Sequence, residues 1–236
     1  MDFTLNNLLN TSLNWLFPQN CLNCQTTQAL GNHPYCESCY LKLPFQNHSC
    51  VQCGQRLGAQ SDYCGRCIIN PPHFDACFCP FKYQDSIKSH IQDLKYHEKP
   101  EIAEPLIRLF VQELKASGVT LPELLIPVPL HISRLRERGY NQSQRLTQHL
   151  SQQLNIPYNT DTITKHKKTP AQALLSFKER KKNINNCFQF TSSINAKSVA
   201  IIDDVITTGT TVNEIAKILK KNGVDYIQVW GIAHTA

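Results

Sequence analysis

The 236-residue chain is 41% apolar and 18% charged, with a formal charge of +6. That is enough for one well-filled core plus a small appendage. The mild basic excess permits a phosphate-bearing partner without demanding one, and no apolar run approaches the roughly 18 residues that span a bilayer.

In chain order, the opening MDFTLNNLLNTSLNWLF has an aspartate where a signal peptide carries positive charge, and asparagines interrupt its apolar stretch. Leu5, Leu8, Leu9, Leu13 and Leu16 fall at helical spacing, which predicts a short amphipathic helix. With no basic residues to hold lipid headgroups, that helix is expected on the protein's own surface.

Eight of the eleven cysteines then follow as C-x-x-C doublets: Cys21/Cys24, Cys36/Cys39, Cys50/Cys53 and Cys64/Cys67. A disulfide scaffold has no reason for this rhythm, whereas a metal site in a reducing compartment does, so a cytoplasmic protein is expected. Eight thiolates suffice for two structural Zn2+ sites of four cysteines each, and a complete shell leaves no open position for substrate. The gaps between doublets are 11, 10 and 10 residues, too even to decide the pairing. Neighbours in sequence are favoured, and a cross-braced arrangement stays open. His33 and His48 are surplus as ligands.

Pro71-Pro72 marks a seam, giving a metal module over 1–70 and a second domain over 74–236. Beyond it, FDACFCPFKY alternates like an edge strand or hairpin arm, and SIKSHIQDLKY and EIAEPLIRLFVQELKA have helical periodicity. ELLIPVPL is a short strand stopped by prolines, and residues 143–154 put Leu146, Leu150 and Leu154 on one helix face. VAIIDDV and YIQVWGIA are buried-type strands around a helix over 212–221 that turns Val212, Ile215, Ala216 and Leu219 inward. Asn222-Gly223 ends that helix. Strands alternating with helices predict an α/β domain with a mostly parallel sheet flanked by helices.

Between VAIIDDV and its helix lies TTGTT, a strand-to-helix turn at the carboxyl end of a sheet strand, where free amides and the helix dipole favour an anion. Gly209 permits close backbone approach, and Thr207, Thr208, Thr210 and Thr211 add hydroxyl donors. The turn lacks the P-loop lysine and the G-x-G-x-x-G pattern, so it suits one terminal phosphate. Asp203 and Asp204 would repel that phosphate unless they face something else. Sugar hydroxyls or a developing cation answer the need, and a phosphorylated ribose offers both.

VAIIDDVITTGTT resembles the PRPP-binding signature of type I phosphoribosyltransferases. The order of four cysteine doublets, PVPL, RLRERGYNQ, TPAQALLSFKERKKNINNCF and this signature is similar to the ComF/GntX family over nearly the whole chain. Arg134, Arg136, Arg138, Gly139, Tyr140, Asn141 and Gln142 match its R-x-R-x-R-G-[FY]-N-Q motif, and Thr169, Gln172, Arg180, Asn183 and Phe188 match a later one. Where the family often has arginines, this chain has Lys165, His166, Lys167 and Lys168; lysine keeps the charge and loses the bidentate fork.

The resemblance implies a type I phosphoribosyltransferase-like fold with a small zinc-ribbon-type module, and a site binding PRPP with Mg2+. Asp203 and Asp204 would be catalytic, with Val205, Thr207, Thr208, Gly209, Thr210 and Thr211 completing the PRPP site. Arg134, Arg136 and Arg138 would hold pyrophosphate, and Lys165–Lys182 would form a hood. It further implies a role in natural competence, with single-stranded DNA and other DNA-processing proteins as partners; Tyr96 and Tyr140 are candidates for base stacking. The acceptor of a phosphoribosyl transfer is not identified by any motif. The alternative is a salvage enzyme that transfers phosphoribose to a base and has no DNA role.

Overall fold

The computed structural model describes residues 20–26, 33–58, 61–97, 99–167 and 186–235. The expected N-terminal helix, Lys168, Thr169, Gln172, Arg180 and Asn183 lie outside the described residues, and of Lys165–Lys182 only the first three are inside them. The chain forms two compact units, Met1–Leu43 and Pro44–Ala236.

Among the described residues of the first unit, α1 (Glu37–Tyr40) follows directly on Cys36, its N-cap residue. In the second unit α2 (Gly65–Ile69) follows Cys64 in the same way. The chain then enters a parallel sheet. Strands β1 (Ala76–Phe78) and β2 (Phe81–Lys82) both pair in parallel with β7 (Tyr226–His234), so FDACFCPFKY is two short strands along one neighbour rather than a hairpin arm. Pro80 cannot donate to the ladder and lies at the break between them. β6 (Ser198–Ile206) pairs with β7 on one side and with β3 (Leu124–Pro127) on the other, giving the order β1-β7-β6-β3.

β6 and β7 are buried almost throughout, as a sheet covered on both faces requires. α4 (Ala103–Ser117) buries Leu106, Ile107, Phe110 and Leu114, with the Phe110 ring 5.9 Å from Trp230 and 5.2 Å from Phe78. α7 (Thr210–Lys221) buries Val212, Ile215, Ala216 and Leu219, the four residues that periodicity turns inward. β4 (Ile163–Lys165) and β5 (Phe188–Phe190) make a separate antiparallel pair.

Three further helices bring residues to the carboxyl ends of the strands. These are α3 (Asp85–Tyr96), α5 (Ile132–Arg138) and α6 (Gln142–Leu154). Asn141 fixes the start of α6: its side-chain oxygen accepts from the Ser143 amide at 3.0 Å, and its Nδ2 donates to the Val128 carbonyl at 3.0 Å. One residue thus caps the helix and ties it to the end of β3.

Candidate functional site

The eight paired cysteines gather in two groups, Cys21, Cys24, Cys36 and Cys39, and Cys50, Cys53, Cys64 and Cys67, with the sulfurs of each group within 4.8 Å of one another. Doublets that are neighbours in sequence share a site, as favoured, and the cross-braced arrangement is not formed. The Cys24–Cys36 and Cys53–Cys64 sulfurs are each 3.7 Å apart. A tetrahedron of thiolates with Zn–S of about 2.3 Å has edges of about 3.8 Å, so both groups fit zinc. The Cys64 amide donates to Cys50 Sγ at 3.3 Å, and Asn23 Nδ2 to Cys39 Sγ at 3.4 Å, contacts that suit thiolate acceptors. Gly54, after the second cysteine of its doublet, has φ 74°, and a Cβ there would stand 2.9 Å from Cys77 Sγ. Neither His33 nor His48 joins a group; the His33 ring bonds to the Tyr35 carbonyl at 2.7 Å.

The acidic pair sits near the end of β6, with Asp203 opposite Gly231 of β7. Asp203, Val205, Thr207, Gly209, Thr210 and Thr211 line one small cavity. Gly209 has φ 71° and is the N-cap of α7, so the cap residue brings no side chain of its own, and the Thr210 amide donates to Thr208 Oγ1 at 3.4 Å; a left-handed residue here favours glycine. The Thr208 and Thr210 hydroxyls bond to each other at 2.7 Å, and Thr208 faces a second cavity on the outer side of the turn. An anion in the inner cavity would meet the amides at the start of α7 and the threonine hydroxyls.

The two carboxylates are not equivalent. Asp203 accepts from Ser143 Oγ at 2.9 Å and from the Asp204 amide at 3.0 Å. Burial and then the neighbouring Asp204 carboxylate push its pKa up to about 7, against the opposing pull of Lys95 and Ser143. Asp204 is only 3% exposed and belongs to α3's side: Lys95 Nζ stands 2.8 Å from its Oδ2, while its Oδ1 accepts from the Val205 amide at 2.7 Å. Burial works against the Lys95 ammonium, but Asp204 and then Asp203 outweigh it, and its pKa is raised.

The three arginines are not brought together. Arg134, Arg136 and Arg138 lie on helix α5, and spacing of two residues on a helix throws Arg136 to the face opposite Arg134 and Arg138. Arg136 is exposed. Arg134 lies 3.6 Å from Glu137, and Arg138 donates to Gln142 at 3.2 Å while its guanidinium stands 5.0 Å over the exposed Tyr96 ring. Tyr140 donates to the Leu94 carbonyl, which ties α5 to the end of α3 and commits that hydroxyl to the fold. Lys165 comes close enough to interact electrostatically with Asp203 and Arg134; burial lowers its pKa and Arg134 adds to this, against Cys187 and Asp203.

Lys95 and Ser143 were not legible as site residues. Ser143 could have been suspected, because it follows N-Q at a helix start; Lys95 is an ordinary polar position of an amphipathic helix.

A parallel sheet with an acidic pair and a threonine-glycine turn at one strand end, carrying two four-thiol centres ahead of it, defines a zinc-ribbon protein with a phosphoribosyltransferase-like fold. Residues 12–68 match the double zinc ribbon domain and residues 132–234 the phosphoribosyl transferase domain. The chain is 35% identical over 222 residues to the DNA utilization protein YhgH of Salmonella typhi, covering 92% of this chain and 98% of that one. It is 36% identical over 220 residues to competence protein F of Haemophilus influenzae, covering 90% and 96%. A purine phosphoribosyltransferase structure from Pyrococcus horikoshii aligns over 60% of this chain and 85% of its own at 17% identity, with a TM-score of 0.33. The chain belongs to the ComF/GntX family of competence and DNA utilization proteins.

Proposed function

We propose that the protein binds PRPP with Mg2+ and acts in the uptake and processing of transforming DNA. The observation that carries the ligand is that Asp203 lines the same cavity as Thr207, Gly209, Thr210 and Thr211. In this reading the 5′-phosphate rests on the amides and hydroxyls of the turn, and the ribose hydroxyls donate to the acidic pair. Val205 and Thr208 complete the turn, and Arg134, Arg136 and Arg138 belong to the pyrophosphate side. Lys95 neutralises Asp204, which leaves Asp203 as the carboxylate facing the sugar. Departure of pyrophosphate makes the ribose cationic, and a fixed carboxylate at that place stabilises it. Mg2+ would enter with PRPP and supply positive charge to the leaving pyrophosphate, with few direct protein ligands and Asp203 as the cavity carboxylate nearest to it. Residues 1–70 act as the metal module and 74–236 as the phosphoribosyl domain.

The DNA role rests on the relatives named for DNA utilization and competence, on the mild basic excess and on the two zinc ribbons. Single-stranded DNA and other DNA-processing proteins are the partners of this reading, and the thiol clusters suit a cytoplasmic location. Calorimetric titration of PRPP with Mg2+ against the wild type and an Asp203→Asn/Asp204→Asn variant tests the ligand. Saturable wild-type binding that falls at least tenfold in the variant is expected. A wild type that does not bind overturns the reading.

A further inference from the structure

The anion turn separates two cavities. The inner one holds Asp203; the outer one is about 360 Å3, in the range of small-molecule pockets, and shares Gly209 and Thr210 with the inner. Its opposite wall is Arg66, from the Cys64–Cys67 turn, together with Pro71, Pro72, His73 and Phe74. The wall is held in place: the His73 amide donates to Asn213 Oδ1 at 2.7 Å, and the Phe74 ring packs beneath the turn, 3.7 Å from where a Gly209 Cβ would stand. Glu214 and Lys217, one and two turns into α7, complete the lining. Neither Arg66 nor Lys217 forms an ion pair among the described residues.

We propose that the outer cavity is a subsite for the nucleoside on the far side of a phosphodiester, so that the turn holds a phosphoribosyl group whose 5′-phosphate is esterified. The inference rests on the phosphate reading of the turn given above and extends it. Two cations and one carboxylate leave a single positive charge, which matches the one charge of a diester better than the two of a free phosphate. The prolines offer flat apolar surface for a base, and Asn70, His73 and Glu214 offer donors and acceptors for its edge. The second zinc ribbon then has a direct use: it supplies the wall that an isolated phosphoribosyl-binding turn lacks.

The zinc-loaded full chain is titrated with ribose 5-phosphate, 5′-UMP and the dinucleotide UpU, whose 3′-terminal ribose carries an esterified 5′-phosphate and a free diol. UpU is expected to bind about tenfold more tightly than 5′-UMP despite its smaller charge. Arg66→Gln and Lys217→Gln should each remove most of that advantage and leave ribose 5-phosphate unchanged, and Glu214→Gln should increase it. Zinc content verifies that Arg66→Gln keeps its ribbon, and Lys217→Gln repeats the test away from the metal. UpU binding weaker than 5′-UMP, or indifferent to both cation variants, overturns the subsite while ribose 5-phosphate still binds. Absence of ribose 5-phosphate binding overturns the subsite and the phosphate reading together.

Discussion

The two four-cysteine centres share a ligand set and differ in what surrounds them. In the first, Cys21 is buried, but Cys24 is exposed and Cys36 and Cys39 are half-exposed. In the second, Cys50, Cys53 and Cys67 belong to a continuous apolar cluster with Phe74, Ile126, Val199, Ile215 and Val229. The first ribbon therefore depends on its metal for its form, since a segment of this size cannot bury enough apolar surface. The second is part of the core that holds the sheet. Identical motifs have become two kinds of element, one outside the sheet's apolar core and one built into it.

Metal removal should make that contrast visible. Cys53→Ser is expected to lower the unfolding free energy of Pro44–Ala236 by on the order of 4 kcal/mol, because it opens the core and frees a metal. Cys24→Ser should remove one zinc equivalent and cost that unit less than about 1 kcal/mol. Urea unfolding followed by circular dichroism, beside zinc analysis, measures both. Equal losses in the two variants would break the comparison.

A buried charge gives the next effect. Lys95→Ala leaves Asp204 uncompensated and should cost about 3 kcal/mol, and adding Asp204→Asn should recover most of it. A double variant no more stable than the single one would mean that Lys95 acts by packing alone.

A further effect, spread over several pH units, is a slope with pH. Asp203 titrates at about 7 in the fold and at an ordinary carboxylate value when unfolded. The folded protein therefore holds the extra proton, and stability falls as pH rises from about 4 to about 7, by at most ~1.4 kcal/mol per unit, then levels off. PRPP affinity should run the other way over the same window, because sugar hydroxyls need an ionised acceptor. Asp203→Asn should flatten both profiles, and parallel profiles in wild type and variant would assign the slope to another group.

The sheet was legible because buried parallel strands are written as apolar runs: VAIIDDV and YIQVWGIA name β6 and β7 directly. The metal centres were legible because thiolate chemistry is spelled in local doublets. What periodicity cannot show is which helix face reaches a strand end. Arg134, Arg136 and Arg138 look alike as text, yet α5 divides them between two faces. Lys95 reaches Asp204 across more than a hundred residues of chain, and nothing local marks it.

That long reach bears on how this architecture could be taken apart. The span matching the phosphoribosyl transferase domain begins at residue 132, whereas the counter-ion of Asp204 resides on a helix ending at Tyr96. A fragment cut to the matched span would also lose β1, β2 and β3, leaving β6 and β7 each short of a neighbour. The smallest excisable piece that keeps its electroneutral acid centre is therefore larger than the recognisable one, and any shuffling of this module between proteins has to carry the α3 segment along.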